Sequence, residues 1–442
     1  MAAVGAAERS SVNICGYNAP EWVIAFMGGV FANCIPAGVY ATNSPDACLY
    51  VAQHSEAEIV VCADAQTLSR YEKILPKLSK IKAFIIYAGA LPAHLDTDPR
   101  FYTWKAFLAL GRHSTVPLAA RTWKQRPGMC ANIVYTSGTT GPPKGVLLSH
   151  DNLLWTSNVL SSTVAQELNI FNERIVSYLP LSHIAAQISD IYANLCHRTA
   201  VFFAPPDALR GGGAALVATL RKVRPTQFLG VPRVWEKIEE RIREEIAASS
   251  PVYKAIAAWA LRIGYLATRN QLRGKQTPIC FSLANFLVFK RVKKALGLDR
   301  SVMNFFGAAP LKKSTRAFFA SLNLPLLNCY GMSETSGLQT GSLPLPHWNK
   351  MDATGTPLFG THLKIDKARP EDKEGEVCFR GRNVFMGYLK DEAETRRTLD
   401  AEGFAHSGDL GFVDEEGFLH LTGRIKELII TAGGQNVAPV PI

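Results

Sequence analysis

The most informative stretch of the chain runs from Tyr135 to Gly145 and reads YTSGTTGPPKG. It follows the apolar residues Ile133 and Val134, so the sequence predicts a buried strand that leads into a loop. Glycines let backbone N–H groups approach an anion closely, hydroxyls add donors, and Lys144 adds a positive charge. A Walker A loop is excluded because its lysine precedes Ser or Thr, whereas Gly145 follows here. The stretch therefore predicts a phosphate-binding loop.

The composition indicates a large globular protein of a reducing compartment. The 442 residues are 47% hydrophobic, enough to bury the cores of two or more subdomains. The nine cysteines form no CxxC pair and no His/Cys cluster at metal-ligand spacing, which argues against a disulfide framework and a zinc site. The amino terminus, MAAVGAAERSS, lacks the basic start and continuous apolar core of a secretory signal.

The apolar run from Trp22 to Tyr40 is the best candidate for a membrane span. It carries no charge, but Asn33, Pro36 and several glycines interrupt it. A buried helix over Trp22–Ala32 and a strand around Ile35–Val39 are predicted instead.

Alternation of apolar runs with helical stretches predicts an α/β fold with mainly parallel sheets. The strand-like runs are Ile59–Cys62, Ala83–Tyr87, Ile133–Tyr135, Ala200–Phe203 and Phe228–Val231. Beyond Tyr330 the pattern changes to short strands and tight turns, at Gly375–Phe379, Gly411–Val413 and Gly417–Leu421. This change predicts a smaller, barrel-like β subdomain.

The net charge of +11 is concentrated in one segment. Between Pro251 and Arg300, ten Lys and Arg residues face a single acid, Asp299, and alternate with apolar and aromatic side chains. Two interpretations stay open: a surface that binds anionic lipid, or a solvated basic face on helices that pack through their aromatic residues. Nucleic acid is disfavoured as a partner because no recognisable binding module accompanies the charge.

Five further motifs follow the loop in a fixed order. They are LPLSH (Leu179–His183), FFGAAPL (Phe305–Leu311), YGMSET (Tyr330–Thr335), HSGDLG (His406–Gly411) and GRIKELIITAGGQN (Gly423–Asn436). With the loop, they resemble the adenylate-forming, or AMP-binding, enzymes, which include acyl-CoA synthetases, luciferases and peptide-synthetase adenylation domains. The resemblance covers nearly the whole chain. It implies a large N-terminal domain over residues 1–423, with two α/β sheet subdomains and the smaller β-barrel-like one.

The resemblance also implies a reaction. A carboxylate attacks the α-phosphate of ATP, pyrophosphate leaves, and the thiol of coenzyme A then displaces AMP from the acyl-adenylate. Catalysis of the first step would consist mostly of positioning and charge neutralisation.

The same resemblance assigns roles to individual residues. The nucleotide contacts are Thr136, Ser137, Gly138, Thr139, Thr140, Gly141, Pro142, Pro143 and Lys144 in the loop, Gly307 and Ala308 beside adenine, Tyr330, Gly331, Met332, Ser333, Glu334 and Thr335 in YGMSET, and Asp409 and Arg424 at the ribose. Glu334 would bind Mg²⁺ and Thr335 would donate to the α-phosphate. The catalytic candidates are Lys144, His183, Glu334 and Thr335, with His183 at the acyl pocket. Ala308 replaces a glycine that most members have.

Taken singly, these residues have simpler explanations. Asp409 is also what a turn requires, Glu334 suits a helix N-terminus, and Arg424 suits a surface. His183 has the alternative of a structural histidine.

The segment Pro225–Ile238, PTQFLGVPRVWEKI, resembles long-chain fatty acyl-CoA synthetases. There Trp235 would gate a fatty-acid tunnel, with core packing at a helix start as the alternative, and the basic helical insertion at about 236–300 is typical of that branch. A tunnel suits such a substrate because burial contributes about 0.8 kcal/mol per CH₂. Ala41–Val61 and Leu428–Ile442 resemble the bubblegum-type subgroup of long and very long chain enzymes.

Residues 424–442 would be the hinge, at Lys426, and the start of a C-terminal domain that is nearly absent. We therefore expect a piece of a longer acyl-CoA synthetase. Two functions stay open: a long-chain fatty acid–CoA ligase, or a catalytically impaired protein that binds nucleotide or acyl chains. The expected location is cytoplasmic, with a peripheral position on the endoplasmic reticulum or another cytosol-facing membrane as an extension.

Overall fold

A computed structural model of the chain describes residues 1–136, 141–168, 173–210, 213–346, 348–427, 429–430 and 436–437. The strands are β1 (Ser11–Cys15), β2 (Ile35–Val39), β3 (Ala57–Cys62), β4 (Ala83–Ile86), β5 (Phe101–Thr103), β6 (Cys130–Thr136), β7 (Lys144–Ser149), β8 (Arg174–Ser177), β9 (Ala200–Phe203), β10 (Gln227–Gly230), β11 (Met303–Gly307), β12 (Leu326–Tyr330), β13 (Thr340–Gly341), β14 (Thr356–Pro357), β15 (His362–Asp366), β16 (Gly375–Arg380), β17 (Gly387–Tyr388), β18 (Ala405–Val413), β19 (Leu419–Arg424), β20 (Ile429–Ile430) and β21 (Asn436–Val437).

The α-helices are α1 (Pro20–Phe31), α2 (Pro45–His54), α3 (Ala65–Glu72), α4 (Trp104–Arg112), α5 (Leu118–Thr122), α6 (His150–Leu168), α7 (Ile184–Ala186), α8 (Ala193–His197), α9 (Ala214–Val223), α10 (Pro232–Ala247), α11 (Pro251–Gln271), α12 (Phe281–Ala284), α13 (Lys290–Leu296), α14 (Lys313–Ser321) and α15 (Glu392–Thr398). Short 3₁₀ turns lie at Ala2–Val4, Leu75–Lys77, Ala93–Leu95, Ser333–Thr335 and Ile425–Glu427, and π-helical turns at Gln187–Tyr192 and Asn285–Phe289.

The first compact unit comprises Met1–Ser157, Ser177–Tyr192 and Phe385–Arg396. Its sheet has the order β17-β7-β6-β2-β1-β3-β4-β5. The six strands from β6 to β5 in this order are parallel to one another, whereas β7 is antiparallel to both of its neighbours, β6 and β17. Every residue of β1 and β4 is buried, as expected for parallel strands covered on both faces. The predicted parallel α/β architecture is confirmed.

The second unit comprises Asn158–Val176, Ala193–Val384 and Arg397–Ile442. One sheet has the order β10-β11-β12-β13-β14, with its first three strands parallel, and another is the antiparallel sheet β15-β16-β18-β19. The predicted small β subdomain is therefore present. Its described strands form an open sheet rather than a closed barrel. The domain boundary after Gly423 stays a prediction.

The uncharged run near the amino terminus forms a helix and a strand, as predicted, but only one face of the helix is buried, since Ile24 and Phe31 are 53% and 49% exposed. Pro20 begins α1, where its missing N–H costs nothing, and the fully buried Trp22 stacks on Phe26 at 5.5 Å between ring centroids. The run then continues into β2. Within the described ranges, no helix has both the length and the apolar character that a bilayer span requires.

Asp190 is a buried carboxyl in the π-helical turn of the first unit, and burial raises its pKa to about 6. Because the folded pKa lies above the unfolded one, burying the charged form costs stability. That cost grows between about pH 4 and pH 6 and is complete above pH 6. We expect Asp190→Asn to raise the free energy of unfolding at pH 7 by up to about 3 kcal/mol and to flatten its pH dependence in that window.

Urea unfolding at pH 4.5 and pH 7 measures this effect, with the exposed Asp207→Asn as the matched control. An unchanged pH profile in Asp190→Asn would contradict it.

Candidate active site

The predicted phosphate-binding loop connects two paired strands of the first unit. Thr136 at the end of β6 is paired with Lys144 at the start of β7, so the two ends of the loop lie side by side. A Cβ atom on the next residue, Gly145, would lie 3.2 Å from Ile133 Cγ2 and from Leu389 Cβ, which explains the glycine after the lysine. The strand leading into the loop was predicted, and the return strand β7 was missed. Ser137, Gly138, Thr139 and Thr140 lie outside the described residues.

Helix α2 anchors the carboxyl-terminal side of the loop. The Tyr50 hydroxyl donates to the Pro143 carbonyl at 3.0 Å, and Tyr50 stacks on His54 at 5.1 Å between ring centroids. His54 Nδ1 lies 3.0 Å from the Tyr135 hydroxyl, at the other side of the loop. Burial lowers the pKa of His54, which favours the neutral ring. Gly141 adopts φ +100°, which suits a glycine. Tyr50 was not among the predicted residues, because only tertiary packing brings it to the loop.

A carboxylate neutralises the lysine of the loop. Lys144 Nζ forms an ion pair with Glu394 of α15 and lies 5.2 Å from the centroid of the Tyr388 ring. The Glu394 backbone N–H donates to Asp391 Oδ1 at 3.0 Å, which fixes the start of α15. A phosphate group that binds Lys144 must therefore compete with Glu394. No local sequence pattern indicates this contact, since 250 positions separate the partners.

His183 caps the amino end of α7. Its Nδ1 accepts a hydrogen bond from the Ala185 N–H at 3.2 Å, so this nitrogen carries no proton. Burial lowers the pKa of His183, in keeping with a neutral ring. The contact gives the histidine a structural role, and its role at an acyl pocket stays a prediction.

Three of the predicted nucleotide residues meet in the second unit. Tyr330 at the end of β12 donates its hydroxyl to Asp409 Oδ2 at 2.6 Å, and Arg424 Nε donates to Asp409 Oδ1 at 2.7 Å. The β18–β19 pairing places Asp409 opposite Arg424. Asp409 is 8% exposed, and burial with the neighbouring carboxylate raises the pKa of Tyr330 well above its usual value. Each carboxylate oxygen keeps lone pairs that two ribose hydroxyls can use.

The strand before Asp409 is held by its neighbour β16. Glu376 Oε2 lies 2.8 Å from His406 Nδ1, and Glu376 Oε1 accepts from the Gly408 N–H at 2.8 Å. Gly408 adopts φ +71° in the turn that leads to Asp409. Glu376 therefore fixes the backbone from which the Asp409 side chain projects.

Cys378 joins these two side chains, with its Sγ 3.4 Å from His406 Nδ1. The ligand atoms of Glu376, Cys378 and His406 lie within 4.8 Å of one another, a cluster that sequence spacing did not reveal. Burial and the nearby carboxylates raise the pKa of the Cys378 thiol to about 12. The hydrogen bond between His406 and Glu376 is enough to explain why these side chains lie together.

The YGMSET motif forms a tight turn after β12. A Cβ on Gly331 would lie 2.3 Å from the Gly337 carbonyl oxygen, so only glycine fits there. Met332 and Thr335 close the turn Ser333–Thr335, because the Thr335 hydroxyl accepts from Met332 N–H at 3.2 Å and donates to its carbonyl at 3.1 Å. Thr335 is fully buried, so donating to a phosphate would require the hydroxyl to leave this bond. Glu334 in the same turn is 9% exposed.

The predicted adenine shelf lies at the end of β11. A Cβ on Gly307 would lie 2.5 Å from the Cys329 carbonyl oxygen, so glycine lets β11 approach β12. Ala308 adopts φ +68°, the left-handed region that a glycine occupies without strain. The departure from the family pattern noted in the sequence thus falls where glycine would be the less strained residue.

Trp235 is a packed core residue at the start of α10. It is fully buried, its Nε1 donates to the Phe305 carbonyl at 3.0 Å, and Phe228 and Phe319 pack edge-on at 5.2 and 5.0 Å between ring centroids. A Cβ on Gly230 would lie 2.5 Å from the indole nitrogen. The geometry is that of the core-packing alternative, and the gating role stays a prediction.

Lys426 lies exposed in the 3₁₀ turn Ile425–Glu427. Its hinge role stays a prediction, and most of residues 428–442 lie outside the described part of the chain. The structure thus groups the predicted residues in two sets. One is Thr136 with Lys144 in the first unit, and the other is Tyr330, Asp409 and Arg424 in the second.

The loop and Tyr330 lie within a match over residues 1–389 to the family described as AMP-binding enzyme. The chain belongs to the AMP-binding enzyme family. Among curated members it is similar to long-chain-fatty-acid–CoA ligase ACSBG2 of Xenopus laevis, with 46% identity over 99% of this chain and 58% of the relative. It is 43% identical to ACSBG1 of Homo sapiens, over 99% of this chain and 60% of that protein.

Two solved structures share the fold. The anthranilate CoA ligase AuaEII, solved with anthranoyl-AMP, superposes with a TM-score of 0.75 at 17% identity, over 99% of this chain and 72% of that one. ATP-bound MatB from Rhodopseudomonas palustris gives 0.71 at 22% identity, over 100% and 73%. The chain thus spans about three fifths of the curated relatives and nearly three quarters of these two structures.

Proposed function

We propose that the protein activates long-chain fatty acids as a fatty acid–CoA ligase. The carboxylate attacks ATP to give an acyl-adenylate and pyrophosphate, and coenzyme A then takes the acyl group and releases AMP. The observation that carries the proposal is the contact in which Tyr330 and Arg424 each donate to the buried Asp409. In the proposal, the remaining lone pairs of this carboxylate accept from the ribose hydroxyls. Sequence identity of 42–47% to long-chain-fatty-acid–CoA ligases supports the choice of acid.

In this proposal the residues bind and orient the nucleotide. Lys144 exchanges Glu394 for the phosphates of ATP, which neutralises the charge that develops as pyrophosphate leaves. Asp409 accepts from the ribose hydroxyls, and Glu376 keeps its strand in place. Tyr330 holds the acid from the adenine side.

Glu334 is the proposed residue for Mg²⁺. It offers hard carboxylate oxygens from a turn whose backbone is fixed by Met332 and Thr335, and it is 9% exposed, which fits a single oxygen ligand to this ion. Mg²⁺ would supply positive charge to the phosphates of ATP.

Fatty-acid-dependent ATP–pyrophosphate exchange tests the proposal, with palmitate and acetate as acids and a Lys144→Ala, Glu334→Ala double variant as the control. Exchange with palmitate, absent with acetate and in the control, is the expected result. ATP binding without exchange for either acid would contradict ligase activity and favour the second candidate, a nucleotide- and acyl-binding protein.

Trp235 provides a test of the acyl site. If the indole must leave its packed position for a fatty acid to enter, weakening that position favours the open form. Trp235→Phe removes the bond to the Phe305 carbonyl, worth about 1 kcal/mol, so we expect the KM for palmitate to fall about fivefold. Trp22→Phe, in an equally buried position of the first unit, is the matched control. A palmitate KM unchanged in Trp235→Phe, with only a lower melting temperature, would show that the residue serves packing alone.

We further propose a cytoplasmic location with peripheral contact to a cytosol-facing membrane. The basic and apolar segment between Pro251 and Arg300 supports that contact.

A further inference from the structure

One face of α11 packs so closely on α14 that the opposite face must point outward. The packed face carries small residues: a Cβ on Gly264 would lie 2.0 Å from the Ser321 carbonyl oxygen, and the Thr268 hydroxyl donates to the Ala320 carbonyl at 2.7 Å. The outward face carries Arg262, Tyr265, Leu266 and Arg269, all exposed and spaced three or four residues apart along one side. This face therefore combines apolar and basic side chains.

The segment that follows α11 repeats this combination. Ile279 is 100% exposed, and Leu283 and Phe286 are 54% and 65% exposed. Val288 and Phe289 are buried and fix the segment to the second unit, so these apolar side chains are held outward rather than collapsed. Exposed large apolar residues grouped in this way mark an interaction surface.

Basic side chains continue the stripe of Leu283 and Phe286. Lys290, Arg291 and Lys294 of α13 are exposed, and Lys290 and Lys294 follow Phe286 at spacings of four residues. Lys293 is different, because burial lowers its pKa to about 8 and its side chain faces the protein. The charge available to a partner therefore comes from Lys290, Arg291 and Lys294, together with the arginines of α11.

No acid of the same segment balances the charge on this surface. Residues 251–298 contain no Asp or Glu. In the preceding α10, by contrast, Arg233, Arg241 and Arg243 each form an ion pair with a glutamate of the same helix. Much of the net charge of +11 therefore lies in the segment that also carries the exposed apolar side chains.

We propose that α11, the connection through Ile279, and α12–α13 form a docking face for a bilayer that contains anionic lipid. Leu266, Ile279, Leu283 and Phe286 enter the interface, while the arginines and lysines bind lipid phosphates and carboxylates. The basic side chains indicate an anionic partner. The outward apolar side chains favour a lipid surface over nucleic acid, because binding to nucleic acid does not require apolar side chains to insert into the partner. The inference deepens the proposed peripheral contact and does not depend on ligase activity.

Vesicle sedimentation tests the face, with phosphatidylcholine vesicles that contain or lack phosphatidylserine. The full chain is expected to bind the anionic vesicles, and its affinity for the neutral ones is expected to be lower by about tenfold or more. Lys290→Gln, Arg291→Gln, Lys294→Gln is expected to lower binding about tenfold, and so is Ile279→Ser, Phe286→Ser.

The matched controls are Lys77→Gln, Lys80→Gln and Phe359→Ser, which change exposed residues elsewhere and should bind like the unmodified chain. Equal binding by the docking-face variants and the controls would overturn the proposal. So would loss of binding in the charge variant alone together with displacement of vesicles by single-stranded RNA, since that result indicates a nucleic-acid surface. ATP–pyrophosphate exchange measured on the same variants separates loss of docking from failure of the proposed ligase function.

Discussion

Lys144→Ala is expected to lower palmitate-dependent ATP–pyrophosphate exchange by about 100-fold or more, because it removes a fixed positive charge from the phosphates in the transition state. The ion-pair partner of Lys144, Glu394, provides a second test of the same charge. Glu394 forms an ion pair with the ammonium group of Lys144 in the structure, so Glu394→Gln should make this group available to phosphate. We expect ATP to bind that variant roughly two- to fivefold more tightly, as a partly exposed ion pair is worth little.

Titration calorimetry with ATP measures both variants, and Glu392→Gln is the matched control, since Glu392 lies in the same helix and pairs with Arg396 instead. If Glu394→Gln weakened ATP binding as much as Lys144→Ala, Glu394 would orient the lysine rather than compete with phosphate.

Asp409→Ala is expected to weaken ATP binding by about 100-fold, because hydrogen bonds to a buried carboxylate contribute about 1.5–3 kcal/mol each. The variant also leaves Tyr330 and Arg424 without their shared acceptor, so a lower melting temperature is expected as well. The choice of nucleotide separates the two effects. The unmodified protein should prefer ATP to 2′-deoxy-ATP, and Asp409→Ala should bind both equally.

Tyr330→Phe is the companion variant, since it keeps the ring and the carboxylate but removes the hydroxyl. Its preference for ATP over 2′-deoxy-ATP should persist. A preference that survived in Asp409→Ala would place the ribose contact on another residue.

Sequence patterns predicted the parts of the fold that local physics determines. The apolar runs around Ile59 and Ala83 are buried on both faces, so their composition alone indicates parallel strands. The strand before the loop was predicted for the same reason. The open form of the small β sheet was not, because closure depends on pairing between strands that are distant in sequence.

The candidate site was predicted through motifs, and its partners were not. Glu394 lies 250 positions from Lys144, and Tyr50 lies 93 positions from Pro143, so no local pattern could connect them. The partial burial of Lys293 among exposed basic neighbours depends on which side of α13 packs, and a count of charges does not reveal that side. Trp235 shows the same limit, since its indole is engaged by the carbonyl of a distant strand.

The pairing of β17 with β7 has a consequence for synthesis on the ribosome. Strands β1 to β7 are complete at Ser149, whereas β17 begins at Gly387. At about 5–20 residues per second, β7 remains an unpaired edge for roughly ten to fifty seconds, long enough to pair with another nascent chain. The strand that covers this edge also carries Tyr388, and Glu394 follows a few residues later. The pairing of the sheet edge and the ion pair of Lys144 therefore form together, late in synthesis, when residues 387–394 have been added.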